Sequence, residues 1–190
     1  LNEPSAAGFE YTNRHRSTLT AKRDHVVVYD LGGGTFDATL LKIDKNVFEV
    51  KATGGDVFLG GVDFDNQIVD LLLQRFQNQH GRPFAGDQVA LSRIAEIAEK
   101  AKIALSEQSV FEVHLPMLEM DPSGTPKDLR CAVTRSDVER VCNGLIDRTI
   151  QAVQDVLLDA KLKPSQVDDV ILVGGMSRMP AVREKLKAVM

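Results

Sequence analysis

The chain has 190 residues, enough for one large domain or two small ones around a substantial core. Its 43% apolar and 26% charged residues are ordinary for a soluble globular protein, and a formal net charge of −4 argues against a general nucleic-acid surface. No apolar run approaches the roughly 18 residues that span a bilayer and no secretory signal is visible, so the chain reads as soluble and cytoplasmic, with no membrane partner. It opens on Leu1 rather than Met, and a piece of a longer protein is expected. Cys131 and Cys142 lack metal-ligand spacing and read as reduced, buried thiols, while His15, His25, His80 and His114 are scattered and form no cluster.

In chain order, Arg14, His15, Arg16, Lys22 and Arg23 make a local basic cluster that reads as a solvated loop. Val26 to Tyr29 is a short, continuous apolar run, as in a strand buried on both faces, and Asp30 stands at its exit. Gly32, Gly33 and Gly34 follow; without Cβ atoms, their N–H groups can approach an anion closely. A P-loop or a dinucleotide fingerprint would run on into a helix. Here Thr35 to Ile43 is rich in Thr and aliphatic residues, so the glycines turn a β-hairpin. Backbone amides at such a turn suit phosphate oxygens, and Asp30 and Asp37 suit a hydrated Mg²⁺. A structural glycine turn with two solvated aspartates fits the same residues.

Val47 to Thr53 predicts a third strand, completing an antiparallel meander. A second glycine cluster, Gly54-Gly55-Asp56 and Gly60-Gly61, precedes a helix on which Phe64, Ile68, Leu71, Leu72 and Phe76 keep helical spacing until Gly81 and Pro83. Another helix runs from about Val89 to Ser106, with Ile94, Ile97, Ala101, Ala104 and Leu105 inward. Glu99, Lys102 and Ser106 fall on its other face, as sugar or base contacts or as an ordinary solvated surface. Strands at Val110–Leu115 and Leu129–Val133 flank a turn-rich segment, Asp121 to Pro126. Thr134 or Ser136 caps a helix reaching about Ala160. An apolar strand, Val170 to Val173, then runs into Gly174-Gly175 and a helix with Pro180 near its first position. Two strand-to-glycine turns thus recur, and ligands of open α/β sheets gather at strand ends.

Four stretches carry a resemblance: Asn2 to Ala7, Asp30 to Asp37, Leu59 to Asp65 and Leu172 to Pro180. Together, in this order, they closely resemble the second half of the ATPase domain of the seventy-kilodalton heat-shock chaperones, the DnaK-like proteins. The resemblance covers nearly the whole chain. It implies an α/β fold, an actin-like, ribonuclease-H-like lobe: a mixed sheet with flanking helices (residues 1–59 and 135–190) and an inserted α+β subdomain (60–134). It implies ATP or ADP with Mg²⁺, and K⁺, as cofactors. Gly32, Gly33, Gly34 and Thr35 would meet the phosphates, with Gly60 and Gly61 beside them. Glu3, Asp30 and Asp37 would surround the metal ions and the attacking water, with Asp30 and Asp37 binding metal through water and Thr35 near the γ-phosphate. Glu99, Lys102 and Ser106 would meet the ribose and adenine. Gly174, Gly175 and Arg178 would border the base, the guanidinium stacking on it. A nucleotide-exchange factor, a J-domain co-chaperone and unfolded polypeptide clients, the last through an absent domain, are the implied partners.

Three positions depart from the family pattern: Val62 for a usual Glu, Ile103 for Arg and Met176 for Ser. Lost polar contacts, at about 0.5–1.5 kcal/mol each, would weaken binding by one or two orders of magnitude, unless Ile103 and Met176 pack on the purine instead. The family's other glycine loop and catalytic Lys have no counterpart in this sequence, so the lobe alone is expected to be inactive. Two other readings stay open: a protein-interaction lobe with a decayed nucleotide site, and a sugar kinase or actin-like filament protein of the same superfamily.

Overall fold

A computed structural model describes residues 6–8, 10, 25–44 and 47–190; Glu3 and the basic cluster at 14–23 lie outside them. The chain forms two compact units, Leu1–Gly61 with Leu145–Met190, and Val62–Gly144. The divisions thus fall after residues 61 and 144, the second of them inside a helix.

The first unit is built on a mixed sheet. Strands β1 (His25–Leu31), β2 (Phe36–Asp44) and β3 (Val47–Asp56) form an antiparallel meander, and β6 (Asp169–Val173) runs parallel to β1, giving the order β3-β2-β1-β6. Val26, Val27, Val28 and Tyr29 are buried because β1 is central and covered on both faces. No residue of β3 is buried, so its apolar positions serve an edge rather than the core. Gly54 and Gly55, beyond the expected end of the strand at Thr53, belong to this strand and pair with Ala38 and Asp37. A Cβ at Gly54 would stand 2.7 Å from Val156 Cγ2, so the missing side chain lets a helix lie against the edge. That helix is α3 (Arg135–Asp159), which buries Ile146, Thr149, Ile150, Val153, Val156 and Leu157 in this unit. Each such aliphatic side chain contributes roughly 1.5–3 kcal/mol on full burial.

The Tyr29 hydroxyl donates to Thr149 Oγ1 at 2.7 Å, and Thr149 donates to the Ile146 carbonyl at 2.7 Å. Burial pushes the Tyr29 phenol up to about 12, so it stays protonated and the hydrogen bond is retained at any physiological pH. After β6 the chain makes a 3₁₀ turn, Gly175–Arg178, and enters helix α4 (Pro180–Val189), whose Val182 and Leu186 are buried. Pro180 takes the first helical position, where its missing N–H costs nothing.

The second unit contains helix α1 (Gly61–His80, from Val62 onward), helix α2 (Gln88–Ala104), the hairpin β4 (Val110–Met120) and β5 (Pro126–Thr134), and α3 as far as Gly144. Phe64, Ile68, Leu71, Leu72 and Phe76 form the buried stripe of α1. Gly81, at φ 70°, ends that helix with its N–H on the Gln77 carbonyl at 2.8 Å. Asp87 caps α2 by accepting the Ala90 N–H at 2.9 Å, and Ala90, Ile94, Ala98 and Ala101 face the core, whereas Ile97 and Ala104 are only half-buried.

Strand β4 runs beyond the expected Leu115 through a bulge in which Met117 takes φ 47°. Asp128 holds the bulge by accepting the Met117 N–H at 2.8 Å, and Arg93 donates to the Pro116 carbonyl at 2.7 Å. Cys142 is buried and Cys131 half-buried; both thiols are free, and burial raises both above the ordinary thiol range. Among the described residues no helix is long and apolar enough to cross a membrane.

Candidate functional site

The β1–β2 hairpin turns on Gly32 to Thr35, closed by the Gly32 N–H on the Thr35 carbonyl at 3.0 Å. Gly33, Gly34 and Thr35 are exposed, and their N–H groups donate no backbone hydrogen bond among the described residues. Among the described residues nothing lies within 4 Å of where Cβ atoms of Gly33 and Gly34 would stand. Open space where side chains would stand, with exposed N–H groups, is the kind of backbone that suits an anion.

Behind the tip, Asp30 and Asp37 are directly opposed across the ladder. Like charges in that register repel, so a cation between or beside them is favourable. Among the described residues no group of three or more His, Cys, Asp or Glu could hold a metal ion. Two carboxylates fit Mg²⁺ all the same, because that ion keeps several waters and takes its remaining ligands from phosphates.

The tip is braced from two sides. Gly61 donates to the Gly32 carbonyl at 2.9 Å, and Gly60 lies so close that a Cβ there would stand 2.4 Å from Gly34 N and 2.6 Å from Gly33 C. On the other side β6 delivers Gly174 at φ 85°, where a Cβ would stand 2.2 Å from the Leu31 carbonyl oxygen and 2.9 Å from Asp30 Oδ1. Ser177 fixes that second loop by donating its hydroxyl to the Gly174 carbonyl at 2.7 Å. Gly175 and Arg178 are exposed on it. Asp30, Gly32 to Thr35, Asp37, Gly60, Gly61, Gly174, Gly175 and Arg178 thus all belong to the first unit.

Glu99, Lys102 and Ser106 belong to the second unit. Glu99 is exposed, while Lys102 is far from an ordinary solvated lysine: its side chain is only 11% exposed and its Nζ lies 2.8 Å from Asp65 Oδ2. Ser106 follows the end of α2 and donates its hydroxyl to the Lys102 carbonyl at 3.4 Å. Of the departures from the resembled pattern, Val62 and Ile103 are exposed, whereas Met176 is buried at 7% and offers little surface to a ligand.

A family model described as "Hsp70 protein" matches residues 1–190. The chain belongs to the Hsp70 family. It is 46% identical, over 184 residues, to the mitochondrial heat shock 70 kDa protein of Pisum sativum, a match that covers 97% of this chain and 26% of that protein. The chain therefore spans about a quarter of the length of this curated relative. The mixed sheet with flanking helices is that of the Hsp70 actin-like ATPase domain.

Asp65 and Ser177 are the residues of this Hsp70 chain that sequence reasoning passed over. Asp65 gave no signal because its partner lies 37 residues away and on another helix. Ser177 stood inside the Leu172-to-Pro180 motif, but only the structure assigns its hydroxyl to the loop rather than to a ligand.

Proposed function

We propose that this Hsp70 chain binds ATP and ADP with Mg²⁺, as part of a chaperone whose nucleotide state governs binding and release of unfolded polypeptides. The observation that carries the reading is the glycine hairpin: open N–H groups at Gly33, Gly34 and Thr35 above the opposed carboxylates of Asp30 and Asp37. The amides would receive phosphate oxygens and the carboxylates a hydrated Mg²⁺, with Thr35 supplying a hydroxyl at the tip and K⁺ as a second cation by family likeness. Glu99, Lys102 and Ser106 are assigned to ribose and adenine, and Gly174, Gly175 and Arg178 to the base. Bound Mg²⁺ would neutralise phosphate charge. A J-domain co-chaperone and a nucleotide-exchange factor are the proposed partners. A reducing compartment, cytoplasm or mitochondrial interior, suits the free thiols of Cys131 and Cys142.

Titration calorimetry with ADP and Mg²⁺, on this chain and on its full-length parent, tests the assignment. Asp30→Ala and Gly33→Val should each weaken binding to the parent roughly tenfold or more, one removing a charge-bearing ligand and the other filling the anion's approach. Unchanged binding and turnover in both variants would defeat the assignment. A second reading, a protein-interaction lobe with an altered nucleotide site, draws on Val62 and Ile103, exposed at 58% and 63%. Strong capture of an exchange factor by a full-length protein that ignores ATP would favour it.

A further inference from the structure

Lysine carries a flexible four-carbon stem and a strongly hydrated ammonium, and on a helix surface it ordinarily extends into water. Lys102 does the opposite: Asp65 holds its ammonium at 2.8 Å, with the two side chains 11% and 20% exposed. The pair is poorly explained as a stabilising contact. Asp65 Oδ1 is buried with no hydrogen-bond partner among the described residues. Burying a carboxylate with one oxygen unsatisfied costs stability, and well-packed apolar residues commonly do as well or better in such a place. Burial also raises the Asp65 carboxyl above its ordinary range, and Lys102 opposes that rise. The lysine in turn lies one helical turn from Glu99, and its carbonyl accepts the Ser106 hydroxyl.

We propose that Asp65 is a positioning residue for the nucleotide site, fixing the direction of the Lys102 ammonium relative to Glu99 and Ser106. The inference rests on the assignment of Lys102 to the nucleoside given above. Without Asp65 the Lys102 ammonium would lose its 2.8 Å carboxylate anchor, and more of the cost of ordering it would fall to the ligand.

A double-mutant cycle on the full-length parent tests it, with Asp65→Asn, Lys102→Met and the pair, reading the Kd of ADP–Mg²⁺ by calorimetry. Asp65→Asn should weaken ADP roughly tenfold in the presence of Lys102 and less than about twofold in the Lys102→Met background. Affinity for Mg²⁺–tripolyphosphate, which has no nucleoside, should stay unchanged in Asp65→Asn, a result that a general loss of structure would not give. If Lys102→Met weakens ADP and Asp65→Asn does not, positioning is overturned while the site assignment stands. Equal losses for Asp65→Asn in both backgrounds overturn it too, and an unchanged Kd for Lys102→Met defeats the site assignment itself. Should Asp65→Asn fail to fold, Asp65→Glu, which keeps the charge and shifts the carboxylate by one methylene, enters the same cycle with the same outcomes.

Discussion

A methyl group at position 60 would meet the backbone of Gly33 and Gly34 at 2.4–2.6 Å, far inside any real contact distance. Something must shift, and the exposed hairpin tip has the least holding it on its outer side. Overpacking of this kind costs typically about 1–3 kcal/mol, and where it moves a ligand-facing backbone it also spoils geometry. Gly60→Ala is therefore expected to lower the melting temperature of the parent modestly and to weaken ADP–Mg²⁺ by an order of magnitude or so. Calorimetric titration beside thermal melts checks it, and a melting shift with unaltered ADP affinity would show that the hairpin tip is not where phosphate binds.

Among the elements, α3 owes its start to a reciprocal pair of hydrogen bonds. The Asp137 N–H donates to Thr134 Oγ1 at 3.1 Å, while Thr134 donates its N–H to Asp137 Oδ2 at 3.1 Å and its hydroxyl to the same oxygen at 2.9 Å. Thr134, not Ser136, is thus the cap. Burial works to raise the Asp137 carboxyl, but the Thr134 hydrogen bonds and the Arg75 charge outweigh it and hold the group below the usual carboxylate range. A depressed folded-state value stabilises above the unfolded value near 3.9 and loses that contribution as pH falls through the folded one. Asp137→Asn and Thr134→Ala should each cost about 1 kcal/mol at pH 7. The Asp137→Asn deficit should shrink below about pH 4 in urea melts; a deficit independent of pH would refute the charge argument.

Elements with strong periodicity were legible in the sequence: the apolar run of β1, the stripes of α1 and α3, and the glycine turn between β1 and β2. What escaped was decided by distant partners. Gly54 and Gly55 lie beyond the expected end of the third strand at Thr53, yet the β2 ladder and the approach of Val156 make them strand positions fit only for glycine. The bulge that carries β4 past Pro116 depends on Asp128 and Arg93, and the setting of Lys102 on Asp65. Of the candidate site, the glycine hairpin proposed to meet phosphate is a local pattern in the sequence, whereas the setting of Lys102 on Asp65 is not.

For the molecule as a whole, the chain would supply, under the proposed function, one glycine hairpin and two opposed carboxylates, whereas phosphoryl transfer needs charge and positioning on every side of a γ-phosphate. The 190 residues contain no second glycine loop paired with a catalytic lysine of the kind the family resemblance implies. Phosphate-release assays on the isolated chain should therefore read no ATP turnover above the uncatalysed background, even where ADP binding is measurable. Turnover at the rate of an intact family member would overturn that expectation. Both braces of the hairpin set backbone against backbone, Gly60 on Gly33 and Gly34, Gly174 on the Leu31 carbonyl. In a suppressor screen, then, trimming a neighbouring side chain cannot relieve a Gly60 or Gly174 lesion, because the tightest clash at each is with backbone, and revertants should be almost entirely true reversions to glycine at those codons.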